Sequence, residues 1–368
     1  VKKILLVSTV SRQFYLFEQG NIEVLKSLGF EIHAAANYSD ANERLNKLDI
    51  IRHHFDIQRS PFSIKNIIAY KQLKRIMKDG NYDAVHCHAP MGGVLARLAA
   101  HAVGIKHVIY TAHGFHFYKG APLINWLIYY SMEKFLSRFT DVLITINHED
   151  YMIAKRFKAK RTVYVPGVGV DTKAFYRDPD IRKEYREKLG VPESTIIILT
   201  VGEMIKRKNH ETALKAIARL NCDNIVYLIV GTGVLKPDLE ELAETLGIKD
   251  KVKFLGYRDD IANICSASDI FVLPSYQEGL PVALMEAMAA GLPCVVSNIR
   301  GNVDLIENNI NGYLCEPKDY KAFADAIFLL IENPDIRNKI SNNNLIKVKR
   351  FDISNVKQEM LSIYKDIS

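Results

Sequence analysis

Short apolar runs alternate with longer amphipathic segments along the whole of this chain. In the first half, residues 4–9, 31–36, 52–57, 83–88, 107–113, 142–147 and 162–166 have the length and β-branched content of strands. Segments 14–28, 64–78 and 92–103 carry apolar residues at helical spacing between them. The alternation resumes at 195–202, 224–231, 252–256, 269–274 and 293–297, with helices expected over 209–219, 237–246, 281–290 and 319–332. Strand–helix alternation of this kind predicts parallel sheets covered by helices on both faces.

The rhythm breaks once, at the polar stretch Gly167-Val-Gly-Val-Asp-Thr-Lys-Ala-Phe-Tyr-Arg-Asp-Pro-Asp180, which has the character of an interdomain connection. A chain of 368 residues suits two domains. The expected division is an α/β domain over 1–170 and a second over 171–351, both doubly wound and Rossmann-like, facing each other across a cleft. The tail 352–368 has helical spacing at Val356, Met360, Ile363 and Tyr364 and is expected to pack back onto the first domain.

Charge divides unevenly. Residues 1–170 hold 23 Lys+Arg against 13 Asp+Glu, whereas the other 198 hold 26 against 29. The basic excess concentrates in 59–78 and 155–161. Such faces suit anionic lipid, a phosphorylated acceptor or plain solvation. Nucleic acid is disfavoured, because no recognition module is present and no aromatic residues interleave with the basic ones. Five scattered cysteines without CxxC spacing fit reduced thiols in a cytoplasmic protein. The opening Val1-Lys-Lys-Ile-Leu-Leu-Val has the look of a first strand and not of a secretory leader. The most apolar stretch, Pro122-Leu-Ile-Asn-Trp-Leu-Ile-Tyr-Tyr130, is too short to span a bilayer. Its pattern favours a buried core helix over one lying in a membrane interface.

The most informative segment is Glu278-Gly-Leu-Pro-Val-Ala-Leu-Met-Glu286. Two acids eight positions apart bracket a Gly-Leu-Pro turn, directly after the strand-like Asp269-Ile-Phe-Val-Leu-Pro-Ser275. Ligands of open α/β sheets lie outside the carboxyl ends of strands, where this turn falls. A helix starting near Pro281 aims free N–H groups and a positive dipole end at that place, which suits phosphate. The two acids can then serve ligand hydroxyls. As a hydrolytic pair they fit less well: eight residues of helix rise about 12 Å, more than the roughly 5–9.5 Å that glycosidases use.

Further candidates follow other strands. Lys208 sits in the cationic loop Lys206-Arg-Lys-Asn209, where Lys offers a point charge to phosphate and Arg207 a bidentate fork. Gly231-Thr-Gly233 permits close backbone approach to a ligand, although a plain tight turn explains it equally well. His113, before the bend at Gly114, suits a phosphate, a sugar hydroxyl or a proton near neutral pH. His86 and His88 share a strand face but Cys87 opposes them, and no fourth ligand is evident, so no metal is expected. Asp178-Pro-Asp180 matches an acid-x-acid metal pattern by chance, lying in the connection.

Together these residues resemble the retaining family-4 glycosyltransferases of the two-domain GT-B fold, and the likeness covers nearly the whole chain. Glu278 and Glu286 match the family's E-x7-E motif. The resemblance implies that Glu278 lies at the transferred sugar, Glu286 binds ribose hydroxyls, and Gly279, Leu280 and Pro281 form the turn that holds phosphate or sugar. It implies a diphosphate contact for Lys208, a donor-sugar contact for His113, and a place near the base for Gly256-Tyr-Arg258, hence Tyr257 and Arg258. Gly231 joins this donor-binding set. The stretches His88-Ala-Pro-Met-Gly-Gly93 and Tyr110-Thr-Ala-His-Gly-Phe-His-Phe-Tyr-Lys-Gly120 are similar to the bacterial branch that builds capsular and exopolysaccharides on lipid carriers.

That branch implies a UDP-linked donor, an undecaprenyl-diphosphate saccharide acceptor, no cofactor or metal, and a basic first domain resting on the inner face of the membrane. Two departures stand out. Many members carry Arg five residues before the Lys, where this chain has Glu203, so Arg207 becomes the substitute cation. The loop Thr9-Val-Ser-Arg-Gln-Phe14 also lacks the paired glycines often found there. Two other readings share the architecture: a UDP-sugar 2-epimerase-like isomerase, which needs no acceptor, and a non-catalytic nucleotide-sugar-binding protein.

Overall fold

The computed structural model describes residues 1–88 and 90–367; Ala89, within the stretch that follows His88, and Ser368 lie outside them. The chain forms two compact units, one of Val1–Val168 with the segment from Ser354 onward, the other of Gly169–Ile353.

The first unit is built on β1 (Lys3–Val10), β2 (Glu31–Asn37), β3 (Ile51–His54), β4 (Ala84–His88), β5 (His107–Ala112), β6 (Val142–Thr145) and β7 (Arg161–Tyr164). These run parallel in the order β3-β2-β1-β4-β5-β6-β7. Alternate residues of β1 face opposite layers, as the strand period requires. Leu5 and Val7 join a core with Ala69, Leu73 and Met77 of the helix Lys65–Gly80. Ile4 and Leu6 join another with Val356, Met360, Ile363 and Tyr364 of the helix Ile353–Lys365. The Tyr364 hydroxyl lies 2.7 Å from His86 Nδ1 inside that layer, and Arg161 donates to Asp366 at 2.6 Å at its edge.

The second unit repeats the scheme with β8 (Ile196–Val201), β9 (Ile225–Val230), β10 (Val252–Gly256), β11 (Ile270–Leu273), β12 (Cys294–Ser297) and β13 (Gly312–Cys315). All are parallel, in the order β10-β9-β8-β11-β12-β13. In both sheets the winding reverses beside the first strand, between β1 and β4 and between β8 and β11. Loops at the carboxyl ends of those strands diverge there and leave room for ligands.

Three segments differ from expectation. The helix expected over 14–28 is two helices, Arg12–Phe17 and Gln19–Ser27, parted at Glu18, whose side chain turns inward and is buried. The polar connection ends in a helix, Pro179–Leu189, because the Asp178 carboxylate caps it by accepting from the N–H groups of Asp180 and Ile181 at 2.8 and 3.1 Å. The acid-x-acid pattern is therefore a helix start. Thirdly, 122–130 is not a buried core helix. It forms a helical turn Leu123–Asn125 and a wider π-type turn Trp126–Tyr130 leading into Ser131–Leu136. Its aromatic rings pack on the core, while Leu123, Ile124 and Leu127 are 86%, 56% and 69% exposed.

Tyr364→Phe removes one partner of a fully buried imidazole. It is expected to lower unfolding free energy by about 1–3 kcal/mol, measurable by urea titration, without changing secondary structure.

Candidate functional site

In the second unit the loops after β8 and β11 meet over a buried carboxylate. Glu278 is only 6% exposed. Lys208 Nζ donates to its Oε1 at 2.8 Å, and Arg207 Nη1 donates to its Oε2 at 3.3 Å and to the Gln277 carbonyl at 2.9 Å. Burial raises the Glu278 pKa, but Lys208 and Arg207 outweigh it and hold the acid below its ordinary value. Two cations on one anion leave a net positive site. Arg207 thus reaches the turn that Glu203 cannot serve as a cation.

Local geometry explains why these loops converge. Lys208 ends the short 3-10 turn Lys206–Lys208, and Asn209 follows with φ +54°. The Asn209 amide donates to the carbonyls of Pro274 and Pro317 at 2.8 and 2.7 Å, tying the loop after β8 to those after β11 and β13. The loop after β12 presses from the other side. Arg300 Nε donates to the Glu278 carbonyl at 3.3 Å, and Gly301, at φ +82°, leaves no room for a Cβ, which would lie 2.3 Å from the Gly279 oxygen. Nothing in the sequence pattern singled out Arg300 or Gly301.

Pro281 stands extended before the helix Val282–Ala289, whose N-terminus has no side-chain cap and no acid in its first turn. Among the described residues no side chain caps the N–H groups that precede Leu284, which suits an anion. Leu280 is buried beneath the turn. Glu286, partly buried on the same helix, has its pKa raised by burial to about 7. The two acids of the motif thus differ, one ion-paired and charged, the other holding a proton close to neutrality.

The remaining donor candidates are placed less decisively. Gly231, at φ +140°, would put a Cβ 2.1 Å from the Gly202 oxygen, and its N–H donates to Gly256 at 2.8 Å. The close approach that it permits is to neighbouring backbone. Tyr257 is 64% exposed, and the Arg258 guanidinium is taken up by Asp260, with Nε donating at 2.8 Å.

In the first unit His113 stands just beyond β5, half-buried, and burial pushes its pKa down to about 4. Its Nε2 lies 3.3 Å from both Gln13 Nε2 and His88 Nδ1. Behind them is Glu18, which sequence reasoning missed because it is remote from the histidines along the chain. Glu18, His86 and His88 offer ligand atoms all within 4.8 Å of one another, as a metal would need. His86, however, engages Tyr364 through Nδ1 and Thr111 through Nε2 at 2.7 and 2.8 Å. A cation would have to break one of these bonds, so a hydrogen-bonded cluster describes the group better.

Two parallel α/β sheets of this winding, with a cation-bound acid beyond the carboxyl ends of β8 and β11, are the architecture of a glycosyltransferase. The chain belongs to the group 1, family-4-like glycosyltransferases. Residues 181–346 match the family model Glycosyl transferases group 1, and residues 3–147 match Glycosyl transferase 4-like. It is 38% identical to EpsD of Bacillus subtilis, a presumed glycosyltransferase, over 99% of this chain and 96% of that one. It is 36% identical, over 78% of both chains, to an Escherichia coli enzyme named UDP-Gal:α-D-GlcNAc-diphosphoundecaprenol α-1,3-galactosyltransferase. Among solved structures it superposes on HepE of Anabaena, in complex with UDP and glucose, with a TM-score of 0.83 over all of both chains. At 20% identity that likeness establishes the GT-B fold alone.

Gly301→Ala is expected to cost about 2–4 kcal/mol, since it adds a backbone clash to left-handed strain. Gly247→Ala, at φ +70° with open space around it, should cost only about 1 kcal/mol. Comparable losses in urea unfolding would show that Gly301 is not a packing requirement of the Glu278 turn.

Proposed function

We propose that this glycosyltransferase is retaining and metal-independent. It would take a sugar from a UDP-linked donor and pass it to an undecaprenyl-diphosphate-linked saccharide during bacterial surface polysaccharide assembly. The observation that carries the reading is the Lys208–Glu278–Arg207 cluster beside an uncapped helix N-terminus. The donor and acceptor classes are those for which the Escherichia coli relative is named, and polysaccharide assembly is supported by the branch resemblance.

In this mechanism the bond between the sugar's anomeric carbon and the diphosphate oxygen breaks, and an acceptor hydroxyl oxygen bonds to that carbon from the same face. The hydroxyl proton passes to the departing diphosphate, and UDP leaves. Lys208 and Arg207 would stabilise the charge that develops on that leaving group, and such preorganised electrostatics is usually the largest catalytic contribution. The N–H groups about Gly279 and Leu280 would hold sugar or phosphate, with Glu278 holding the two cations and a sugar hydroxyl in register. Glu286 would accept from the ribose hydroxyls, with Tyr257 and Arg258 about the base and Gly231 elsewhere in the donor site. His113, in the first unit, would contact the transferred sugar or a diphosphate oxygen.

Calorimetric titration with UDP, GDP and ADP, without added metal, tests this directly. UDP is expected to bind selectively, and Lys208→Ala to weaken it roughly tenfold to a hundredfold, the loss of one charge-assisted hydrogen bond. Absence of binding by all three nucleotides would overturn the reading. The affinity should also depend on pH through Glu286. Ribose hydroxyls need the ionised carboxylate, whereas burial keeps the proton on up to about pH 7. Below that pH the ligand must displace a proton, so affinity falls by up to about tenfold per pH unit. Glu286→Gln should flatten that component; identical pH profiles would remove Glu286 from the ribose contact.

A membrane contact belongs to the same reading. No helix among the described residues is long and apolar enough to cross a bilayer. Phe62, Ile64, Ile67 and Ile68 are nevertheless exposed next to Lys65, Lys71, Lys74, Arg75 and Lys78. The helix Lys65–Gly80 and the rings of Trp126, Tyr129 and Tyr130 contribute to one core layer, so this basic helix and the exposed Leu123, Ile124 and Leu127 share one side of the first sheet. Apolar side chains among basic ones suit an anionic bilayer surface. The chain is expected to sediment with phosphatidylglycerol vesicles and much less with phosphatidylcholine ones. The double variant Leu123→Ser, Leu127→Ser should lose most of that binding while remaining folded; undiminished binding would place the contact elsewhere.

A further inference from the structure

The first unit buries a carboxylate that no cation in the cluster neutralises. Glu18 is 1% exposed, between the helices Arg12–Phe17 and Gln19–Ser27. It accepts from Gln13 Nε2 at 3.0 Å and Asn21 Nδ2 at 2.6 Å, and lies 3.2 Å from His88 Nδ1. Removing an unneutralised carboxylate from water is costly, and an apolar residue of similar size would close the same junction without that cost. Burial raises its pKa to about 7, although the two amides act against the rise. Stability alone gives no reason for an acid here.

The hydrogen-bond directions supply one. His88 is fully buried, and its Nε2 meets no partner among the described residues. A proton there would be an orphaned donor, which is more costly than an idle lone pair. Burial also keeps His88 neutral. Its proton therefore belongs on Nδ1, which faces two acceptors, Glu18 Oε1 at 3.2 Å and His113 Nε2 at 3.3 Å. An ionised carboxylate only accepts, so Gln13 turns its NH2 toward Glu18, and the same nitrogen lies 3.3 Å from His113 Nε2. Two N–H groups thus converge on His113 Nε2, and a third proton on that nitrogen would oppose both.

We propose that Glu18, His88 and Gln13 are positioning residues that hold His113 as a neutral imidazole with its proton on Nδ1, making it a hydrogen-bond donor to an oxygen of the sugar nucleotide. The ligand's identity rests on the function proposed above; the tautomer does not. A neutral donor suits a sugar hydroxyl or phosphate oxygen and avoids burying an imidazolium. The other titratable groups facing the cluster leave this assignment intact. His86 stacks on His88 with ring centroids 4.1 Å apart. Burial lowers its pKa to about 3, and its nitrogens are occupied by Tyr364 and Thr111. Burial likewise keeps Tyr364 a neutral phenol.

The test is long-range 1H–15N correlation on the full, ligand-free chain labelled with 15N-histidine, at pH 8, with His113→Gln identifying the His113 signals. The expected result is a single neutral tautomer, protonated on Nδ1, favoured by at least about ten to one, as one net hydrogen bond of difference provides. Glu18→Leu should bring the two tautomers to within a few-fold of each other. Glu18→Gln, which keeps an acceptor oxygen, should restore the preference. A wild-type His113 protonated on Nε2, or a ratio unchanged in Glu18→Leu, would overturn the proposal. If Glu18→Leu fails to fold, the wild-type spectrum alone decides. Failure of wild type to bind UDP would instead strike the donor reading, leaving the tautomer result standing.

Discussion

A carboxylate withdrawn from water at the end of a strand sets the arrangement of the second unit. Glu278 cannot remain charged at 6% exposure without cations, and both come from the loop after β8, 70 and 71 residues earlier in the chain. That loop must therefore lie against the one after β11. Asn209 fastens it by two amide bonds, and Gly301 gives the Gly279 carbonyl the space it takes. A buried ion pair of this kind adds little net stability, because desolvation consumes most of the Coulomb gain. What it supplies is register, two cations and an uncapped helix N-terminus held at one place before any ligand arrives.

The two units share a winding order and differ in the chemistry at their strand ends. The second gathers charge there, whereas the first gathers neutral imidazoles, amides and one buried acid. This inverts the impression given by net charge, since the first unit carries the basic excess of the sequence. Five of its Lys and Arg residues, Lys65, Lys71, Lys74, Arg75 and Lys78, lie on the helix Lys65–Gly80, whose buried positions are Asn66, Ala69, Leu73 and Met77. Charge counted along a chain thus reports on surfaces, and the interior of a site can have the opposite character.

Most strands were legible because a parallel sheet buried on both faces needs continuous apolar runs. The exception, β13, begins at a glycine and offers only the mixed run Gly-Tyr-Leu-Cys. The E-x7-E acids and Lys208 were legible because each follows an apolar run, and position after a strand implies position at a parallel sheet's carboxyl edge. Glu18 and Arg300 were not, since their roles depend on partners brought close by the fold and not by spacing. Segment 122–130 misled for a different reason. Apolarity marks a preference for leaving water without saying what replaces it, and only the aromatic half of that segment meets the core. Asp178 shows the same limit for acids: beside Pro179 it is a helix cap, and the letters alone do not separate a cap from a ligand.

The acids of one motif diverge for this same reason. Glu278 and Glu286 are identical in the sequence and eight residues apart, but one has Lys208 and Arg207 against it and the other is desolvated without a cation. Their pKa values are therefore driven in opposite directions. An acid already paired holds cations in place and keeps only its remaining lone pairs for a ligand hydroxyl. An acid that is desolvated and unpaired gains most when hydroxyl donors reach it, since each donor supplies solvation that the fold withheld. The division of labour between organising the site and gripping the ligand thus comes from what each carboxylate was given as neighbours, and the spacing of the motif only ensures that both stand on one turn and one helix.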